Sequence, residues 1–525
     1  MARLDDWIFV TNNPAAWQSL TDLLLLLEFE RLCKMAALRC WSTKLVLVAL
    51  LVIVGASTVV GSSDHGKFRG SVGEEDDHPL STSSCPGDAS LSLIRDTVTK
   101  FLLPQDDDCN ISQRVVQAAM RYATELGPTG NWSDVNYVTV GTEGRSWWDA
   151  GVHLQRVLLL GIAANIRARD PQQSQATDVA DALVSALGFW VKQDFRQSNW
   201  WWNVIGTPRA VGKATLLLAA VDPDAAANLL PAAAAIVNRA NFSDGMTGTN
   251  LAWVSTGQLL LGVLECNGTR VAEAYRVAAT TTGVNYLAQG LQEDDSFHQH
   301  GPQLYSGWGY GAIWTTLMLG FTAYSTGQPA TSSFRFSNST TLDAIGGSMV
   351  LRGQRWMTAG RNFDFPTCGR LMTYFSNTTG PEHLNWGHYH YFAAFSAFPN
   401  AFPDFHCHDR TPLAVNYANL LPIAAPAFDA DTAAGLRAYA DQVSGADVRR
   451  GAGPAGHRSF WNSDYHVHRR NSTAPIRAGS ASSTREPFVV TVRMVSNRTI
   501  NSECGNEEGK QGWDLADGVT VMYVQ

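Results

Sequence analysis

The chain has 525 residues, 45% of them hydrophobic and 16% charged, with a formal net charge of −8. That length exceeds one small core and implies two or three units, and the hydrophobic share excludes a disordered chain. The acidic balance argues against a nucleic-acid partner, which needs a basic face, but leaves room for an acidic ligand held by a few local arginines.

Lys44 precedes an unbroken apolar run over 45–54, followed by Gly55, Ala56 and Ser57. A basic flank, an apolar stretch and a small-residue exit read as a secretory signal beginning near Met35, too short for a span of about 20 residues. With residues 1–34 in place the run would instead be an uncleaved anchor, attached to the membrane through 45–60. The expected organisation is an extension with signal or anchor over 1–61, a Ser-, Gly- and acid-rich linker over 62–90, a helical domain over 91–450, and the beginning of a β-domain over 451–525. Asn110, Asn131, Asn241, Asn267, Asn338, Asn377, Asn471 and Asn497 each begin an N-x-S/T sequon, which supports a secreted or lumenal glycoprotein. Cys85, Cys109, Cys266, Cys368, Cys407 and Cys504 lack metal spacing and suit disulfides. Sequence does not set the pairing; proximity alone favours Cys85 with Cys109.

Apolar residues at helical spacing mark helices over 112–126, through Val115, Ala119 and Tyr122, and over 147–169 and 177–194. Thr207 before Pro208, and Asp222 before Pro223, read as caps opening helices to Ala220 and Ala240. Further helices are expected over 251–265, 270–290, 311–325 and 340–359. Short connections imply antiparallel neighbours, so the fold class is mainly α: an array of hairpins forming a solenoid or a closed toroid. Residues 488–495, FVVTVRMV, and 520–524, TVMYV, are β-rich. Two or three strands cannot bury a sheet face alone, so they pack on the helices or belong to a longer product.

The densest chemistry lies in 294–311, DDSFHQHGPQLYSGWGYG. Its glycines and proline exclude a helix, and loops on a rigid scaffold are where catalytic groups tend to sit. His300 and Tyr310 are its best candidates. In 199–208, NWWWNVIGTP, three consecutive tryptophans cannot share one helix face, so at least one of Trp200, Trp201 and Trp202 faces a cleft. Seventeen Trp in all is high, and exposed Trp faces often stack on sugars. In 247–253, TGTNLAW, Asn250 stands just before a helix, where a cap is the plain reading. Residues 361–374, RNFDFPTCGRLMTY, offer Arg361 and Arg370.

The segments NWWWNVIGTPRA, TGTNLAWVSTGQLLLGVL, DDSFHQHGPQLYSGWGYG, GQRWMTAGRNFDF and FWNSDYHVHRR, in this order, resemble polysaccharide lyase family 8, which includes chondroitin AC, hyaluronate and xanthan lyases. The resemblance covers residues 95–525 and implies an incomplete (α/α) toroid followed by an antiparallel β-sandwich, here cut short after its first strands. It implies β-elimination across a uronic acid of chondroitin sulfate or hyaluronan, with no cofactor or metal, by a monomer. By resemblance, Asn250 and His300 neutralise the sugar carboxylate, and Tyr310 is the base and then the acid. Arg370 and Arg361 supply positive charge; Glu503, or alternatively Glu508, lends a carboxylate. Trp200 and Trp201 stack on sugars next to Asn199, and Tyr305 is the fallback base. Two departures stand out: Tyr374 occupies the place of a second family arginine, and the loop before Tyr310 is one residue longer. Two rivals remain. A glycoside hydrolase of α/α-toroid fold needs two opposed carboxylic acids, for which only Glu293, Asp294 and Asp295 stand near. A catalytically impaired, lyase-like glycan-binding protein would fit Tyr374 and the short β-part.

Overall fold

The computed structural model describes residues 85–104, 111–138, 148–169, 176–242, 245–307, 309–360, 362–370, 420–444, 453–470, 487–503, 512 and 514–524. The expected signal or anchor, most of the linker, Arg361, Tyr374, Glu508, Cys109, Cys407 and Cys504 lie outside these residues.

The helical part comprises α1 (Ala89–Phe101), α2 (Ile111–Glu125), α3 (Gly151–Ala168), α4 (Ala176–Gln193), α5 (Thr207–Ala219), α6 (Pro223–Val237), α7 (Gly248–Leu264), α8 (Gly268–Thr280), α9 (Tyr310–Tyr324) and α10 (Ala430–Ser444). Consecutive helices pack as hairpins, α2 with α3, α5 with α6 and α7 with α8. A second set of contacts runs from α3 to α5, α5 to α7 and α7 to α9, so these four form one inner layer. Their composition explains the layering. Every residue of α9 and all but two of α7 are buried, as expected of helices apolar on all sides. The outer helices carry a single stripe: Val115, Ala119 and Tyr122 on α2, and Ala226, Leu230, Ala233 and Val237 on α6, are buried.

Several expected boundaries move. Residues 85–89 leave the expected linker: Cys85 is buried and Asp88 caps α1 through a bond from the Leu91 amide. Asp222 caps α6 as expected, accepting from Ala225 N at 3.0 Å. Thr207 does not cap α5, because a π-helical turn, Trp202–Gly206, runs straight into it. Helix α8 stops at Thr280, ten residues short of the expectation; the Thr-Thr-Thr-Gly run over 280–283 has low helix propensity. The expected helix over 340–359 is a short α-turn, Ser339–Leu342, followed by a π-helical stretch, Asp343–Gln354.

Cys85 pairs with Cys266, not with Cys109. Chain proximity misleads here because α1 packs against α7, whose far end leads into Cys266. The bridge spans 181 residues of sequence, and closing so long a loop is worth about 5 kcal/mol in the chain-entropy account. Cys266→Ala is therefore expected to lower the urea midpoint and to steepen the slope as the unfolded chain opens further, as read by the far-ultraviolet signal; an unmoved midpoint would remove the bridge from the stability of this unit.

Four antiparallel strands follow in the order β1 (Gly456–Phe460), β2 (Tyr465–Arg470), β3 (Phe488–Arg493) and β4 (Val519–Val524). Alternation puts Tyr465, Val467 and Arg469 of β2, and Val489, Thr491 and Arg493 of β3, on the buried face. That face docks on residues 356–366. Arg469 donates to the carbonyls of Trp356 and Thr358, and Arg493 donates to Pro366 O at 2.7 Å. Asp364, fully buried, accepts from the hydroxyls of Tyr465 and Tyr523, each at 2.6 Å. A four-stranded sheet thus covers one face with the helical part instead of leaving it bare.

Candidate active site

Tyr310 opens α9. Gly309 before it has a φ of +114°, a conformation that glycine adopts without a side-chain clash. The first amides of α9 are satisfied from the preceding loop: Gly311 N donates to Tyr305 O at 2.8 Å and Ala312 N to Gly307 O at 3.1 Å. Thr249 of α7 donates its hydroxyl to Tyr310 O at 2.9 Å. The starts of two inner helices are therefore bonded to each other at the loop.

His300 has a φ of +59°, rare for a residue with a Cβ. Its amide donates to Gln289 Oε1 at 3.0 Å, and Gln289 also receives Gln299 Nε2. A strained backbone costs about 1–3 kcal/mol and persists where neighbours over-determine it; here the side-chain amides do so.

Arg370 reaches the site through Gly369, whose φ is +53°. A Cβ there would lie 2.4 Å from the Tyr305 ring, so only glycine lets the backbone rest on that ring. Arg370 N then donates to Tyr305 Oη at 3.1 Å, and Nη2 donates to Tyr310 Oη at 3.3 Å. Nη1 donates to Glu503 Oε1, and the other carboxylate oxygen meets His300 Nδ1. Nη1 also lies 3.1 Å from His300 Nδ1. Both contacts of Nδ1 cannot be hydrogen bonds of one tautomer. A guanidinium only donates and a carboxylate only accepts, so the proton sits on Nδ1 and is shared with Glu503. Nε2 is then the imidazole's other face. The rings of His300 and Tyr310 meet edge-on at 4.7 Å, and those of Tyr305 and Tyr310 at 5.1 Å.

The electrostatics follow from this packing. Burial alone would pull the Arg370 guanidinium down, but Tyr310, Tyr305 and Glu503 outweigh it and hold it well above its usual range. Burial alone would raise Glu503, but the bonds from His300 and Arg370 win and hold the carboxylate below its usual range. Burial pushes Tyr305 well up despite the Arg370 charge.

Asn250 lies inside the first turn of α7, not before it, so it is not the cap expected from an isolated reading. Among the described residues its Oδ1 is buried without a hydrogen-bond partner. Trp253, three residues on and so on the same helix face, packs edge-on against Tyr310 at 5.8 Å. Of the three tryptophans, Trp200 is 49% exposed, while Trp201 and Trp202 are buried. Trp201 packs on Trp253 at 5.4 Å, so as a sugar-stacking face it is corrected: it braces the aromatic row behind the site. Asn199 accepts from Trp201 N at 3.0 Å and holds that turn. Tyr305 is likewise corrected as fallback base and substrate contact. It is fully buried and supports Arg370 from beneath.

Asp294 and Asp295 do not form an opposed acid pair. Asp294 accepts from Ser296 N, Ser296 Oγ and Asn462 N, at 3.0, 2.6 and 2.6 Å. Asp295 is held by Ser348, Arg352 and Arg458. Together they brace the loop against the β1–β2 turn. His298, also in the loop, bonds Ser463 Oγ at 2.8 Å, and burial pulls its imidazole down to about 3, so it stays neutral.

Two family models match this chain, one on its helices and one on its strands. The N terminal alpha-helical domain of polysaccharide lyase family 8 matches residues 114–331, and the super-sandwich domain of that family matches residues 455–525. Chondroitinase-AC of Pedobacter heparinus is 25% identical over 412 residues, covering 78% of this chain and 49% of that protein. A chondroitinase AC lyase solved with oligosaccharides superposes with a TM-score of 0.61 at 21% identity, over 83% of this chain and 54% of the other. The Streptomyces coelicolor A3 chondroitin AC lyase bound to chondroitin sulphate gives 0.58 at 18% identity, over 83% and 57%. A Paenibacillus xanthan lyase gives 0.57 at 18% identity, over 83% and 40%. At these identities the superpositions speak for the fold. The chain spans about half the length of the curated relative it matches. With a family match on the helical array and another on the sheet docked against it, the chain belongs to polysaccharide lyase family 8.

Proposed function

We propose that this chain is a lyase for uronic-acid glycans, chondroitin sulfate or hyaluronan, acting by β-elimination. The observation that carries the reading is the Arg370 guanidinium, which bonds Tyr310 Oη on one side and Glu503 on the other, with His300 on the same carboxylate. The reaction must remove a weakly acidic proton from C5, next to the uronate carboxylate. Asn250 and the Nε2 face of His300 take that carboxylate and let charge delocalise into it. Tyr310 acts as phenolate. A phenol ionises near pH 10 unaided, and an arginine N–H aimed at its oxygen favours the charged form. Tyr310 takes the C5 proton, the C4–C5 double bond forms as the C4–O bond breaks, and Tyr310 returns the proton to the leaving oxygen. The phenolate is regenerated, and the product carries a 4,5-unsaturated uronate. Trp200 stacks on a sugar ring of the bound chain. Trp200→Ala is expected to raise KM severalfold with kcat little changed, the signature of binding shared by ground and transition states. Passage through the secretory route belongs to the same proposal, supported by the Cys85–Cys266 bridge.

The test is to incubate the chain with chondroitin sulfate and with hyaluronan and follow ultraviolet absorbance alongside reducing ends. Both signals rising together is the expected result. New reducing ends without absorbance would mean hydrolysis, and neither signal would end the lyase reading.

A further inference from the structure

We propose that Arg493, on β3 and outside the reacting cluster, is a positioning residue that sets Arg370 and Glu503 against each other. Its catalytic consequence rests on the lyase reading above; its structural half does not. Arg370 and Glu503 come from segments 133 residues apart in sequence. Arg493 is 1% exposed and touches both segments. Nη1 donates to Pro366 O at 2.7 Å, four residues before Arg370 and within the single 3-10 turn Phe365–Thr367. Nη2 donates to Ile500 O and Asn501 O, each at 3.3 Å, just before Glu503. One planar fork therefore holds the backbone of both arms of the ion pair.

Each segment also has contacts of its own: Thr367 O accepts from Gly307 N at 3.0 Å, Asn501 Oδ1 accepts from Ala516 N at 2.6 Å and Asn501 Nδ2 donates to Asp517 at 2.9 Å, but none of these joins one segment to the other. Residues 496–499 are anchored separately on Asp464, which receives the hydroxyls of Ser496 and Thr499 and the Arg498 guanidinium. Beyond them, Ile500 N donates to Pro302 O at 3.3 Å, next to the His300 loop. The sheet is docked independently by Arg469 and Asp364. Losing the Arg493 fork therefore removes the bonds that tie the two segments to one another, while Arg469 and Asp364 keep the sheet docked. Tyr465, Cys368, Asp364, Tyr305 and His298 face the guanidinium. Burial pulls it down to about 10, against Tyr465 as the first opposing group, so it remains a cation at neutral pH. A lysine would keep the charge but present one compact ammonium where a fork spans two segments.

The experiment compares Arg493→Lys, Glu503→Gln and the double variant in the full chain. Arg493→Lys is expected to lower kcat about a hundredfold, the scale of a misplacement of about 1 Å, with KM nearly unchanged. Once Glu503 is already replaced, Arg493→Lys should cost little more, because both changes break the same ion pair. Effects that multiply in full would overturn the proposal. Amide exchange gives a readout without turnover: residues 367–370 and 500–503 should exchange faster together, with α5 unchanged. Exchange altered in only one of the segments, or in neither, would overturn it too. If the wild type shows no turnover, the lyase reading falls and the exchange result alone decides this one. Should Arg493→Lys not fold, Arg493→Gln is measured in its place, and failure of both to fold would make the residue structural only.

Discussion

Tyr310→Phe is expected to abolish measurable turnover while leaving polymer binding and fold intact. One positioned proton transfer contributes roughly 10²–10⁴ in rate, and Tyr310 serves in two, at C5 and at the leaving oxygen, so the loss should reach at least about 10⁴. The substitution is clean because only the hydroxyl goes. Phenylalanine keeps the edge contacts to Trp253, His300 and Tyr305 at 5.8, 4.7 and 5.1 Å. The bond from Arg370 Nη2 goes with the hydroxyl. Affinity for chondroitin sulfate, measured by titration calorimetry, should stay within severalfold of the wild type, since the uronate contacts come from other side chains. Turnover of Tyr310→Phe within tenfold of the wild type would remove Tyr310 as the base. As Tyr305 is sealed beneath Arg370, it could not take over the task, and the mechanism would have to be rebuilt.

The loop and helix positions of this site are legible because their chemistry breaks local rules. Glycine, proline, histidine and tyrosine crowd ahead of α9, a helix apolar on every side, and that contrast survives in one dimension. The supports are not legible for the same reason in reverse. On β3, valines stand on both faces, Val489 inward and Val490 and Val492 half outward, so alternation gives no sign that Arg493 points in. On β2 the inward set is Tyr465, Val467 and Arg469, and the charge hides the strand. An arginine inside a sheet is tolerable only where carbonyls meet it; those of Trp356, Thr358 and Pro366 belong to residues more than a hundred positions away, and only Ile500 and Asn501 of the carbonyls named here are near in sequence. The tryptophan triplet shows a second limit. The three rings sit at and just before the start of a π-turn, Trp202–Gly206, and nothing in their spacing says that Trp200 faces out while Trp201 packs on Trp253. Asp294 and Asp295 are seen at once as a carboxylate cluster, but nothing local tells that Asn462 and Arg458 will occupy them.

Arg370→Met should be the other severe substitution, and it separates two jobs of one guanidinium. Removing the N–H at Tyr310 Oη takes away the charge that favours the phenolate, so the rising basic limb of the kcat/KM profile moves to higher pH and the rate at neutrality falls by about 10³. Removing the partner of Glu503 leaves a mostly buried carboxylate with His300 alone. Breaking a buried pair this way typically costs about 3–5 kcal/mol, which thermal unfolding would register. The pH dependence has a definite sign. Glu503 is held below its ordinary range in the fold, so its stabilisation is complete above the unfolded carboxylate value and is lost as pH falls through the lower, folded one. With methionine at 370 the folded value rises toward or past the unfolded one. The wild type should therefore lose stability between pH 5 and more acid conditions by a larger step than the variant, and the two melting curves should converge in acid. Arg370→Lys then divides charge from geometry. An ammonium can stand near Tyr310 or near Glu503, but it lacks the fork that meets both. It should restore much of the basic limb while recovering little of kcat. If lysine recovers both in full, charge alone is what the site needs from this position, and the paired geometry of Arg370 with Glu503 has no part in the rate.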